Sequence, residues 1–176
     1  MKIIELCGKA GVGKDTFGKE LIRQLESRGT KCIHISFADR LKDICLHYFA
    51  WDGNKDAKGR ELLQRVGTDM FRKFNPDYWV NEVKELVKVL AEYNLCDYVI
   101  ITDARFPNEI DTFLQDGFET LAIRLHRDFK SKLDENLQKH VSETALDNYE
   151  MNDYYLSGDK EKLPLEVATA ISYYEI

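Results

Sequence analysis

The residues best placed to do chemistry lie near the start of the chain, in Gly8-Lys9-Ala10-Gly11-Val12-Gly13-Lys14-Asp15-Thr16. The spacing is G-x-x-x-x-G-K. Glycines allow successive backbone N–H groups to turn inward on one anion. A helix that begins there adds its positive N-terminal end. Lys14 then reaches the outer phosphates of a nucleoside triphosphate, with Gly8, Ala10, Gly11, Val12, Gly13, Asp15 and Thr16 around them. Asp15 stands where a Ser or Thr hydroxyl usually holds Mg²⁺, and Thr16 follows one place later. Either Thr16 assists, or the metal is held by the nucleotide's phosphates, water and a carboxylate elsewhere, as Mg²⁺ tolerates.

Further candidates lie where apolar runs end. Tyr98-Val99-Ile100-Ile101-Thr102 reads as a buried parallel strand and runs into Asp103. A carboxylate there can hold Mg²⁺ through water or accept a proton, or it can simply cap a helix. Arg105 points over the same edge as a phosphate clamp. The strand Lys31–Phe37 gives way to a helix at Asp39, Arg40 and Lys42, again at a strand's carboxyl end, where open α/β sheets bind ligands. A helix predicted from Arg60 to Phe74 carries Arg60, Gln64, Arg65 and Arg72. Trp79, after the Asn75-Pro76-Asp77 break, is either core or one wall of a base pocket. Residues 126–148 are polar and charge-dense, with Arg127, Lys130, Lys132, Lys139 and His140. That stretch is either a solvated helical hairpin or a lid that brings Arg127 to a transferring phosphoryl group.

Positioning these residues requires strands alternating with helices. Helices are expected over about Asp15–Arg28, from Asp39 to about Phe49, from Val80 to about Leu90, over Glu109–Asp116 and over Leu163–Ile176. Strands Glu119–Leu125 and Met151–Leu156 complete the pattern, and Trp51–Gly59 reads as a loop. The expected architecture is three-layer α/β/α, with a parallel five-stranded sheet and right-handed crossovers. One P-loop domain is expected over 1–176, with an acceptor-binding helical region at about 38–80 and a helical lid insert at about 126–148.

Composition narrows the function. The net charge of −6 argues against a binder of polymeric nucleic acid. No stretch approaches the roughly 20 apolar residues of a membrane span, and no signal-peptide pattern opens the chain. The four cysteines, Cys7, Cys32, Cys45 and Cys96, form no C-x-x-C pair and read as reduced thiols of a cytoplasmic protein.

Taken together, the motifs resemble the phage-type deoxynucleoside monophosphate kinases, a branch of the P-loop nucleoside monophosphate kinases. The resemblance rests on Gly13-Lys14-Asp15-Thr16, Ser36-Phe37-Ala38-Asp39-x-Leu41-Lys42, Arg60–Thr68, Pro76–Val80 and Thr102-Asp103-x-Arg105-Phe106-Pro107-Asn108-Glu109, with Ser142-Glu143 a weaker element. It departs at Arg40, where a proline is expected. The resemblance implies transfer of the γ-phosphoryl group of ATP to a deoxynucleoside 5′-monophosphate, with Mg²⁺; for the assembly, monomer and homodimer both stay open. It places Lys14, Asp103, Arg105 and Arg127 at the reaction, with Thr16 and Asp103 serving the metal, the latter through water. Asp39, Arg40, Lys42, Arg60, Gln64, Arg72 and Trp79 fall to the acceptor. It also accounts for Asp15, since adenylate-kinase-like enzymes share the Lys-x-Thr order. Two alternatives remain: a P-loop kinase of another acceptor, of the dephospho-coenzyme A or phosphomevalonate type, and a nucleotide-binding switch.

Overall fold

The alternation of apolar runs builds one parallel sheet. The computed structural model describes residues 1–131 and 133–176. Five strands, β1 (Lys2–Cys7), β2 (Cys32–Ile35), β3 (Tyr98–Ala104), β4 (Glu119–Arg127) and β5 (Asn152–Leu156), pair in the order β2-β3-β1-β4-β5. Every pairing is parallel. The chain leaves β1 toward β2 on one side and later fills β4 and β5 on the other. The crevice beyond the carboxyl ends of β1 and β3 is therefore the topological switch point.

Period-two alternation sends side chains of the central strands to two separate cores. Ile4, Leu6, Ile100, Ile123 and Leu125 pack against Phe17, Leu21 and Leu25 of α1 (Lys14–Ser27) and Val167, Ala170 and Ile171 of α8 (Leu163–Tyr173). On the opposite face Ile3, Cys7, Val99 and Ile101 meet Val80, Val83 and Val87 of α4 (Tyr78–Glu92) and Ile110 and Phe113 of α5 (Pro107–Gln115). The three-layer α/β/α arrangement is as the sequence predicts.

Several element bounds differ for physical reasons. β3 runs on through Asp103 to Ala104 because Ala104 still pairs with Cys7 across an irregularity in β1. β4 extends to Arg127, where Leu156 pairs with it, so Arg127 ends a strand instead of opening the insert. The 51–59 loop is shorter than predicted. The Asp56 side chain caps α3 (Ala57–Gln64) by accepting from the Gly59 N–H at 2.8 Å. The helix predicted as continuous from Arg60 to Phe74 changes at Arg65 into a π-helical stretch, Arg65–Arg72. There Trp79 donates its indole N–H to the Gly67 carbonyl at 3.0 Å. Between α3 and α4 the chain thus adopts a form often found beside functional sites. α2 spans Asp39–Tyr48 as expected. The insert holds two short helices, α6 (Glu135–Lys139) and α7 (Val141–Thr144). Leu133 and Leu137 bury against Ala10 of the glycine-rich loop. Among the described residues no helix is long and apolar enough to cross a membrane. Cys7, Cys32, Cys45 and Cys96 are free thiols, and burial pushes the Cys7 thiol up to about 12.

One strand residue breaks the apolar pattern. Glu5 is fully buried, and neither carboxyl oxygen finds a partner among the described residues. Burial, with Glu109, Asp111 and Asp103 nearby, raises its pKa well above the usual carboxylate value. Its folded pKa exceeds its unfolded one, so its contribution is full below the unfolded pKa and is lost as pH rises through the folded value. As pH rises above the ordinary carboxylate range, the wild type is expected to lose melting temperature relative to Glu5→Gln. Parallel curves for the two proteins would show that Glu5 titrates normally.

Candidate functional site

The glycine-rich loop turns at the end of β1 because its backbone must. Gly8 sits at φ +128°, and a Cβ there would stand 2.6 Å from the Leu125 carbonyl oxygen. Gly13, at φ 117°, starts α1 with no side-chain cap. The first N–H groups of α1 are left for an anion. Lys14 lies beneath the loop and donates to the carbonyls of Gly8 (2.7 Å) and Lys9 (3.2 Å). Burial pulls its ammonium down to about 7, with Arg105 contributing next. Glu143, Asp103 and Asp15 pull the other way.

Asp15 and its neighbours form a short polar chain. The Thr102 hydroxyl donates to Asp15 Oδ1 at 2.9 Å, and His34 Nε2 lies 2.9 Å from the same hydroxyl. The hydroxyl's one hydrogen is committed to Asp15, so His34 is the donor and carries its proton on Nε2.

Across the crevice, Asp103 ties β3 to the start of α2. Its Oδ2 accepts from the Ser36 hydroxyl at 2.7 Å and the Ala38 N–H at 3.0 Å, and its Oδ1 accepts from the Phe37 N–H at 3.0 Å. Lys42 joins this cluster through Ser36 (3.5 Å) and Asp39 (2.6 Å). Arg105, next after β3, reaches Glu143 Oε1 at 2.5 Å and the Ser142 carbonyl at 3.3 Å. Its backbone N–H donates to Glu109 Oε2 at 2.6 Å, and that of Phe106 does so at 2.9 Å. Glu109 is buried and also pairs with Arg72, whose guanidinium lies over the Phe106 ring. Burial raises the Glu109 pKa, while Arg72 and the two N–H groups oppose the rise.

The insert closes the remaining side. Glu143 Oε2 accepts from the Ala10 N–H at 2.9 Å, and Lys9 donates to the Glu143 carbonyl at 2.6 Å and pairs with Asp147. Gln64 and Ser142 are 3.5 Å apart. Arg127 donates to the Gly11 carbonyl at 2.6 Å and lies over Phe129. Beside these contacts lies a cavity of about 180 Å³ lined by Lys9, Arg105, Arg124, Glu143 and Asp147 among others.

The structure thus brings together Lys14, Asp103, Arg105, Lys42 and Gln64, with Arg127 at the rim of the loop. It speaks against two acceptor assignments, Trp79 and Arg72. Trp79 is 2% exposed and belongs to the core. Arg72 is held in the buried pair with Glu109, so its charge is already matched. The Arg60 side chain donates to the Lys55 carbonyl at 2.9 Å. Arg40 is exposed on the first turn of α2 and makes no side-chain hydrogen bond among the described residues. Lys132 lies outside the described residues. Sequence reasoning did not single out Lys9, Glu109 or Ser36, and it gave Glu143 no role. Glu143 carried only a weak signal, as part of the Ser142-Glu143 element of the resemblance, and nothing in that signal gave it a role. Glu109 carried a usable signal, since it stands three residues after a strand-end turn, where a carboxylate reaches back to free N–H groups.

Among the described residues no cluster of three or more acidic, His or Cys side chains is arranged to hold a metal. The donors fit a Mg²⁺ that keeps its waters. Asp103 Oδ1 has one protein donor and retains a lone pair for a water, while Thr16 is exposed at the start of α1.

The fold this crevice belongs to is the P-loop nucleoside triphosphate hydrolase/kinase fold. Its likeness to a shikimate kinase from Bacteroides thetaiotaomicron has a TM-score of 0.58 at 16% identity, covering 100% of this chain and 99% of that one. The Cys556Ala mutant of the Mycobacterium tuberculosis APS kinase CysC aligns with a TM-score of 0.50 at 13% identity, covering 99% and 98%. No family model matches the sequence. A protein described as uncharacterized, ORF77 of Ictalurid herpesvirus 1 (strain Auburn), is 28% identical over 146 residues. That match covers 83% of this chain and 59% of the viral protein.

Proposed function

We propose that this chain transfers the γ-phosphoryl group of ATP to a deoxynucleoside 5′-monophosphate, releasing ADP and the diphosphate. The observation that carries the reading is the placement of Arg105 opposite the glycine-rich loop, with Lys14 beneath that loop and Lys42 and Gln64 on the acceptor side. An acceptor that is already a phosphate needs no strong base. The task is to hold two anions in line and screen their repulsion. Lys14 and the first N–H groups of α1 hold the donor phosphates. Arg105 binds oxygens of donor and acceptor with a planar fork. Asp103 fixes the β2–α2 turn that carries Lys42. Mg²⁺ would neutralise the donor's phosphate charge, held by those phosphates and by water beside Thr16 and Asp103.

The order of motifs from Ser36 to Glu109 supports a nucleotide acceptor. The solved neighbours are named as kinases of shikimate and of APS, which keeps another small acceptor as the second reading. Coupled ADP-release assays across dGMP, dTMP, dCMP, dAMP, shikimate and other non-nucleotide acceptors decide between them. Turnover with at least one deoxynucleoside monophosphate is expected, and turnover only with a non-nucleotide would overturn the acceptor reading. In the same assay Arg105→Ala is expected to cost about two to three orders of magnitude in kcat, far more than it costs in stability. Unchanged turnover with a lower melting temperature would make Arg105 a structural residue.

A further inference from the structure

The insert places a negative charge where a phosphate is expected. Glu143 has a side chain only 6% exposed, with one oxygen on the Ala10 N–H (2.9 Å) and the other on the Arg105 guanidinium (2.5 Å). A loop N–H and an arginine are the pair of donors that a phosphoryl oxygen would use. The contact is reinforced around it. Lys9 fastens the Glu143 carbonyl and Asp147, and Arg124 donates to the carbonyls of Leu146 and Tyr149, each at 2.6 Å.

We propose that Glu143 is an internal competitor for the phosphate cradle, a residue that sets which anions the loop accepts. In the free protein its carboxylate neutralises Arg105 and keeps loop and insert together. A nucleoside triphosphate must displace it, so donor binding is an anion exchange that frees residues 140–147 from the loop. A small phosphate brings too few contacts to displace it, whereas a triphosphate replaces the lost pair and adds Lys14 and the start of α1. The inference rests on the donor half of the proposed function and is independent of which acceptor is used. An alternative role, in which Glu143 stays in place and acts on the acceptor, makes the opposite prediction for binding.

The test is calorimetric titration of Mg·AMPPNP into wild type and Glu143→Gln, with no acceptor present. Glutamine keeps the shape and loses the charge. The variant is expected to bind about tenfold more tightly, as removal of one charged competitor would give. Hydrogen exchange on the wild type, which depends on no variant, should show residues 140–147 exchanging faster once AMPPNP is bound. Equal or weaker binding by Glu143→Gln, or slower or unchanged exchange at 140–147, would overturn the proposal. Failure of both proteins to bind AMPPNP would overturn it together with the donor half of the proposed function. Ordinary binding of equal strength in both leaves that function standing and removes this inference alone.

Discussion

Lys14→Met is expected to lower the proposed phosphoryl transfer by about two to three orders of magnitude while leaving the protein as stable as before, or more so. The two effects separate because Lys14 is a buried charge without a carboxylate in direct contact; its ammonium is held by the Gly8 and Lys9 carbonyls. Methionine keeps the apolar stem and gives up the desolvated charge. The pH dependence follows from the same residue. Its folded pKa, about 7, lies below the 10.5 that the unfolded chain would show. Between those values the unfolded chain binds more protons, so this lysine makes stability rise with pH across that window. Below both it lends no slope. Lys14→Met should lose that part of the pH dependence. A bound triphosphate restores a counter-charge and draws a proton onto Lys14, so donor affinity in the wild type should fall as pH rises above about 7. Steady-state rates, melting curves across pH and titrations in buffers of different ionisation enthalpy measure each effect. Wild-type turnover in Lys14→Met would remove the phosphate-cradle reading of the loop.

Glu109→Ala is the substitution with the largest expected effect on stability, about 3–5 kcal/mol, because it strands the Arg72 guanidinium in a buried site. It also strips acceptors from the N–H groups of Arg105 and Phe106. The second loss links stability to function. Glu109 pins the backbone of Arg105, the residue whose guanidinium faces the insert, so its loss is expected to disturb that placement as well. Denaturant unfolding should show a lower midpoint with an unchanged slope, and turnover should fall in protein that is still folded. A change under about 1 kcal/mol would mean that the Arg72 guanidinium is not stranded by the loss of Glu109 and reaches water or another acceptor.

These two residues also show how far sequence reasoning reaches. The placement of Lys14 beneath the loop was legible because everything that fixes it is local. The strand before it, the glycines that turn the chain and the helix after it fall within a few dozen residues, and each has its own pattern. Arg72 was misplaced because its partner, Glu109, is 37 residues away in sequence. A basic residue on a helix beside a phosphate site reads as a clamp until the acid that neutralises it is located. Asp103 was placed correctly at the end of an apolar strand. Its engagement with Ser36, Phe37 and Ala38 depends on β2 lying beside β3, a neighbour relation that strand patterns do not state. Trp79 was left open between core and pocket, and the Gly67 carbonyl decides for the core.

By itself the sequence determined the class of fold, the five strands and their alternation with helices, and the glycine-rich loop at residues 8–16. Periodicity and glycine spacing are short-range properties, and a short-range code can be read from one chain. The tertiary structure alone decided which charges meet. It seated Glu143 on Ala10 and Arg105, closed Arg72 onto Glu109 and left Glu5 without a partner. Such pairings depend on distances across the sheet and on the path of the insert, and no local pattern records either.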